Sequence, residues 1–533
     1  MALLDDPHAT WILCGMNLHP RYAIAALAGL AAACTPAPPP VVGTTFVNVR
    51  LVDGTGAPSR SGNLRIVADT IVAVGDAPPV PGDSIIDGRG LVLAPGFIDT
   101  HSHHASGLRS DPDARPVVSQ GITTIVAGQD GWHPIPLANS MDSLAAAPGA
   151  ANVAFYIGHG AIRSAVMGKD FRRIATNRER DSMATLLRAE LASGALGLST
   201  GLEYDPGIYS DGAEVLALAR VTASAGGRYI SHIRSEDRFF WDAIDEIIAI
   251  GREARLPVQI SHLKLGMIPL WGLTDSLFTV LDAARASGVD ITADVYPYPY
   301  WQSTLTVLFP ERDFDNRTEA RKILREIAKP EGLLIGAFAA NPSYSGKTVA
   351  QLAVLRREDP ASTLMGLIAE AQAWEKANPT SDDNAESVVA TSMSESDVGK
   401  LFIWPHANVS SDGSMNGSHP RGYGAFPRVL AKYVREQKIL TLEDAIHRMT
   451  ALAAAHMGIA RRGTLAPGAF ADLVLLDPAT VTDHATPASP HLVSTGIEGV
   501  WVNGSAVWRN VRPTGSHPGR IIRRAATPLP SAR

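Results

Sequence analysis

The chain has 533 residues, 45% hydrophobic and 19% charged, the composition of a globular protein with room for more than one structural unit. Its formal net charge of -6, with no basic block beyond Arg520-Ile521-Ile522-Arg523-Arg524, excludes the electrostatic footprint of a nucleic-acid binder. The two cysteines, Cys14 and Cys34, precede the globular part, which excludes a disulfide framework and leaves His, Asp and Glu to hold any metal in the body.

Residues 1–40 read as a leader and linker. Met16-Asn17-Leu18-His19-Pro20-Arg21 is a short positive region, and Met16 is a second candidate start. Residues 22–33 form an apolar core, shorter than the ~20 residues of a membrane span. The core ends in Leu30-Ala31-Ala32-Ala33-Cys34, followed by a proline-rich spacer. This resembles a bacterial lipoprotein signal, in which the cysteine becomes the acylated first residue; simple cleavage after Ala33 is the alternative. Both readings imply an exported, periplasmic protein, and the first adds membrane attachment through lipidated Cys34.

Residues 41–90 read as a β unit: Phe46-Val47-Asn48-Val49-Arg50-Leu51-Val52 alternates, Asp53-Gly54-Thr55-Gly56 turns, and apolar runs at 64–67 and 71–74 follow. The same texture returns at 471–476 and 499–504, so residues 456–533 and 41–90 are expected to build one small β-sandwich domain from both termini. Between them, over 91–455, apolar strands alternate with helical stretches such as 215–225 and 243–254, which carry a 3.6-residue period. Eight candidate strands end near His103, Asp130, His159, Thr200, His232, His262, Asp294 and Asp412. This predicts an α/β, (β/α)8 TIM-like barrel with its site at the C-terminal strand ends. The stretch from about 300 to 400 is too long for a loop and has helical patterns at 349–355 and 364–377. It reads as an insertion before the last barrel strand, near the mouth.

In Gly96-Phe97-Ile98-Asp99-Thr100-His101-Ser102-His103, two histidines at i and i+2 of an extended segment share one face. Neutral imidazole ligates zinc and similar ions, but a chain with 16 histidines also places such pairs by chance. Other strands end in Asp130, His232, His262 and Asp412, so four histidines and two aspartates converge on one end of the barrel. Buried charges need partners or a metal. A divalent ion lowers the pKa of a bound water to about 7 and polarises a carbonyl, while an unligated carboxylate moves protons. Metal-assisted hydrolysis of a small-molecule substrate is the expected chemistry.

These residues carry a resemblance. Gly96 to His103, Gly158-His159-Gly160-Ala161-Ile162-Arg163, Ser199-Thr200-Gly201-Leu202-Glu203-Tyr204, His232-Ile233-Arg234-Ser235-Glu236, Ser261-His262-Leu263-Lys264, Ser411-Asp412-Gly413-Ser414 and His419-Pro420-Arg421-Gly422 occur in the order found in one family. The chain resembles the amidohydrolase superfamily and, within it, the N-acyl-D-amino-acid deacylases (D-aminoacylases). The resemblance implies a zinc site of one or two ions (Zn2+), with His232 and His262 holding the tight metal and His101 and His103 a weaker position. It implies Asp412 as general base, taking a proton from the attacking water and passing it to the leaving amine. It places Lys264, Tyr204, Tyr296, Ser303 and Arg421 around the substrate carboxylate.

Two departures stand out. The family's bridging cysteine, in an Asn-Cys-Gly context, is replaced by Gln129-Asp130-Gly131, so Asp130 is expected to bridge as a harder oxygen ligand, with His133 as the fallback. His104-Ala105 follows the histidine pair where the family has an aromatic and an aspartate. His159 reads as site-lining or structural. The expected activity is release of a free D-amino acid from its N-acyl form. A dipeptidase acting before a C-terminal D-residue or a cyclic-amide hydrolase is the enzymatic alternative, and a lipid-anchored binding protein on a retired barrel the non-enzymatic one.

Overall fold

The computed structural model describes residues 41–379 and 385–525, so the leader, both cysteines and the anchor reading lie outside the described residues. Eight parallel staves form the barrel: Phe97–Asp99, Ile122–Ala127, Asn152–Phe155 continued by Ile157–Gly158, Gly197–Gly201, Arg228–His232, Val258–Ile260, Ile291–Val295 and Ala407–Val409. Every residue of Ile122–Ala127, Gly197–Gly201 and Ile291–Val295 is buried, as expected where helices cover one face of a parallel sheet and the lumen is packed. The helices follow their sequence signals. Asp211 caps Gly212–Ser224 by accepting from the Glu214 amide at 2.8 Å, and Phe240–Ala254 buries the stripe Phe240, Ala243, Ile244, Ile247, Ile248 and Gly251.

The first and last staves join at the mouth rather than through a long ladder. The Asp412 amide donates to the His101 carbonyl at 2.8 Å, and the His103 amide donates to the Gly413 carbonyl at 2.8 Å. Below them, the Asp99 carboxylate accepts from the Ser411 amide and hydroxyl at 2.8 and 2.5 Å. Gly413 is required at this seam, because a Cβ there would stand 2.5 Å from the Gly422 Cα.

The terminal sheet has nine strands. Thr44–Leu51, Arg60–Val67, Thr70–Gly75, Ser84–Asp87 and Val92–Pro95 come from the N-terminal part, and Leu473–Leu476, Ile497–Val502, Ser505–Arg509 and Arg512–Pro513 from the C-terminal part. The two contributions fuse where Val92–Pro95 pairs with Leu473–Leu476. The strand of Trp501 and that of Phe46 stand three places apart, about 14 Å on a flat sheet, yet their rings lie 4.8 Å apart edge to face. The sheet therefore folds over itself around a core of Phe46, Leu64, Ile71, Leu93, Leu473 and Trp501.

Two local differences from the sequence reading have physical causes. The continuous apolar run 91–98 is split between the two sheets at Gly96, where a Cβ would meet Thr123 at 2.3 Å. The first stave stops at Asp99, so His101 and His103 sit in the seam loop beyond it. The insertion, read as helical, also contains a three-stranded antiparallel sheet of Tyr300–Ser303, Leu333–Phe338 and Glu386–Thr391 beside the helices Arg317–Glu326, Val349–Arg356 and Pro360–Ala377. Its first strand carries Ser303 to the mouth.

Candidate active site

Three site residues occupy the left-handed backbone region: Asp130 (φ 52°), His262 (φ 35°) and Asp412 (φ 50°). Such conformations persist in L-residues where the surroundings over-determine them, and they concentrate at functional sites. Here each stands just beyond a stave and turns its side chain inward. Asp294 helps hold one of them, accepting the His262 amide at 2.9 Å together with the Ser410 hydroxyl at 2.6 Å.

The side chains form two donor groups with one shared member. Asp130 Oδ2 lies 3.3 Å from both His101 Nε2 and His103 Nε2. Asp412 Oδ1 closes this group at 3.6 and 3.2 Å from the same nitrogens. Asp130 Oδ1 faces the other way, 3.4 Å from His262 Nε2, which is 3.1 Å from His232 Nδ1. A tetrahedral zinc ion with bonds of 2.0–2.2 Å needs donor separations of about 3.3–3.6 Å, and the separations of 3.1–3.6 Å here come within about 0.2 Å of that range in both groups. Among the described residues no hydrogen-bond donor reaches the buried Asp130 Oδ1, as befits an oxygen aimed at a cation.

The electrostatics agree. Burial opposes a charged His103 ring, but hydrogen bonds to Asp130 and Asp412 outweigh it and raise the group to about 9. Burial and Lys264 oppose charge on His262, yet Glu236, Asp130 and Asp412 lift it to about 10. Burial would raise Asp412, but the Arg421 guanidinium and His101 hold its carboxyl well below the usual range. The cluster thus demands positive charge at its centre.

Glu203 and Glu236 complete the second group, and the sequence reading did not assign them. Glu203 Oε2 lies 3.0 Å from His232 Nε2, and Glu236 Oε1 lies 2.9 Å from His262 Nδ1. Each carboxylate meets the imidazole nitrogen opposite the inward-facing one; at His232 this fixes the tautomer and makes the ring a better ligand, whereas at His262 Nδ1 Glu236 shares the position with Lys264. Their signal was present: Glu236 follows His232 by four, and Glu203 stands two residues beyond the stave Gly197–Gly201. Glu203→Gln is expected to weaken zinc binding about 10–100-fold, read by competition with a chromogenic chelator while circular dichroism stays unchanged.

Around the donors, Arg421 Nη1 reaches Asp412 Oδ2 at 2.6 Å, and Lys264 Nζ reaches Glu236 Oε1 at 2.5 Å and His262 Nδ1 at 2.8 Å. The Tyr296 ring lies beneath both cations, 5.7 Å from Lys264 and 4.9 Å from Arg421, and the Tyr204 ring packs 4.4 Å from His232. Tyr204, Ser303 and Arg421 line a cleft of about 920 Å³ that ends at His103, Asp130 and Asp412. His419 sets Arg421 in place: its Nδ1 accepts the Arg421 amide at 3.0 Å, and its Nε2 donates to the Tyr300 carbonyl at 2.8 Å.

Three other histidines stand apart. His133 is engaged elsewhere, its Nδ1 accepting from the Gly158 amide at 2.9 Å. His159 opens the helix His159–Met167 and binds Glu214 at 2.7 Å in a buried pair that Arg163 also joins. His104 is a brace: burial pushes its ring down to about 4, Ser102 Oγ lies 2.8 Å from its Nδ1, and its Nε2 donates to the Gly422 carbonyl at 3.0 Å. This ties the histidine loop to the segment that carries Arg421.

A parallel eight-stave barrel whose mouth gathers four histidines and two carboxylates about common centres has the build of a metal-dependent hydrolase. The chain belongs to the amidohydrolase family, whose sequence model matches residues 84–395 and 406–508. It is 36% identical over 501 residues to an N-acyl-D-glutamate deacylase of Alcaligenes xylosoxydans xylosoxydans, covering 90% of this chain and 96% of the relative. Two solved structures cover 90% of this chain and 99% of their own. A crystal structure of D-aminoacylase superposes with a TM-score of 0.80 at 33% identity. N-acyl-D-glutamate deacylase from Bordetella bronchiseptica, complexed with zinc and a phosphonate mimic of the tetrahedral intermediate, gives 0.80 at 35%.

Proposed function

We propose that this chain is a zinc-dependent hydrolase of the amide bond in N-acyl-D-amino acids: water is consumed, the C–N bond breaks, and a carboxylate and a free D-amino acid leave. The observation that carries the reading is Asp130, whose two oxygens serve the two histidine pairs while two cations, Lys264 and Arg421, stand beside the same centre. A zinc ion bound there supplies an ionised water at neutral pH and a Lewis acid for the amide carbonyl.

The chain's own residues divide the remaining work. His232 and His262, braced by Glu203 and Glu236, are the rigid ligands; His101 and His103 form the more open pair; Asp130 links the two. Asp412 keeps Oδ2 on Arg421 and presents Oδ1 toward the histidines, placed to take a proton from water and return it to the leaving nitrogen. Arg421 and Lys264 are the charge partners of the substrate carboxylate, with Tyr204, Tyr296 and Ser303 shaping the space around it. Arg421→Met is expected to raise KM about 10–100-fold, as loss of a charge-assisted hydrogen bond of about 1.5–3 kcal/mol implies, read from initial rates against N-acetyl-D-amino acids.

The deciding experiment is a panel of N-acetyl-D-, N-acetyl-L- and dipeptide substrates on protein of measured zinc content. D-selective release of amino acid is the expected result; preference for the L-forms or for dipeptides would replace this reading with the other amide hydrolases. The lipobox-like segment before Cys34 further supports an exported enzyme anchored to the periplasmic membrane face through that residue. Cys34→Ala is expected to abolish palmitate labelling and move the enzyme to the soluble periplasmic fraction. An unlabelled wild type would favour simple cleavage after Ala33.

A further inference from the structure

Two cavities meet at the donor cluster. The cleft of about 920 Å³ holds Arg421, Tyr204 and Ser303. A second chamber of about 660 Å³ opens behind His103 and Asp130, and its apolar lining is Ala105, Ala127, Trp132, Pro134, Leu144 and Phe155. His103, Asp130 and Trp132 line both spaces, and Trp132 is 49% exposed, a large indole standing at the partition.

Resting on the proposed activity, we infer that this chamber is the acyl subsite and that it selects N-acyl-D-amino acids with long aliphatic chains. The substrate has two halves about the scissile carbonyl. Its amino-acid half carries a carboxylate and needs Arg421 and Lys264, neither of which lines the chamber; the arginine that does, Arg109, is exposed to solvent. The acyl half carries no charge and suits the apolar walls that adjoin the donor cluster at His103 and Asp130. Size points the same way: an acetyl methyl is comparable to a water, whose share of liquid is about 30 Å³, and would leave the chamber almost empty. The small residues Ala105 and Ser106 next to His103 keep the chamber wide where it meets the site.

The test is a chain-length series from N-acetyl to N-decanoyl on one D-amino acid, using the zinc-loaded full chain. Burial of a methylene predicts that kcat/KM rises about fourfold per added CH₂ until the chamber is filled. Ser140 and Ser143 lie on the helix Leu137–Ala146 and line the chamber away from the donors. Ser140→Trp, with Ser143→Phe as a second filling variant, is expected to collapse the decanoyl-to-acetyl ratio toward one. A flat series in the wild type, or a ratio that both folded variants leave intact, overturns the inference. If no N-acyl-D-amino acid is hydrolysed, the functional reading falls on its own. The chamber is then decided by equilibrium binding of decanoate against acetate: tighter decanoate binding that Ser140→Trp removes upholds an acyl-chain site, and equal binding ends it.

Discussion

Asp412→Asn is expected to lower kcat by about 10²–10⁴-fold, the range that a positioned general acid–base supplies. The substitution is isosteric, and asparagine adopts left-handed backbone readily, so the φ of 50° is kept. The amide bond to the His101 carbonyl and the Ser411–Asp99 bonds below it do not involve the altered group. What changes is the oxygen 3.2 Å from His103 Nε2, which loses its negative charge and with it the power to accept a proton. Zinc held by His232 and His262 should remain, as mass spectrometry of the dialysed protein would show. Retention of more than a tenth of wild-type kcat would remove Asp412 from the proton path.

Asp130→Asn should be the most disruptive change to metal content. It too tolerates the left-handed backbone, at φ 52°, but it withdraws the charge that serves both donor groups. Outer partners of ligands cost about 10–100-fold in affinity when lost, and a shared anionic donor should exceed that at both groups. Asp130→Cys is expected to restore binding with a shift from zinc toward softer cations such as cadmium. Zinc-per-chain ratios after dialysis, together with cadmium competition, read both effects. An Asp130→Asn protein with full zinc content and activity would sink the bridging role.

Much of this was legible in the chain because the barrel writes its function at the ends of buried apolar runs. Those runs located His232, His262, Asp130 and Asp412, and the structure gathers them with His101 and His103. Stave length was not legible: no glycine or proline follows Ile98 until Gly107, while pairing stops at Asp99 because the seam loop there bonds to Ser411 and Gly413. Glu203 and Glu236 stood in legible motifs but went unassigned, because their role depends on which imidazole nitrogen faces the centre, a matter of three-dimensional orientation. The insertion's sheet was hidden for a similar reason. Tyr300–Ser303 pairs with Glu386–Thr391 more than eighty residues away, and no local period announces such a partner.

The seam between the first and last staves carries a consequence for the birth of the enzyme. Asp412 is bonded to His101, residues separated by most of the catalytic unit, so closing that contact requires a loop of some three hundred residues. Contacts of such separation form late, after the local strand–helix units are in place. A nascent or clipped chain ending before Ala407 therefore has His232 and His262 but neither the proton carrier nor the closed mouth. On this architecture the mouth is complete only once the last stave, Ala407–Val409, has joined the first.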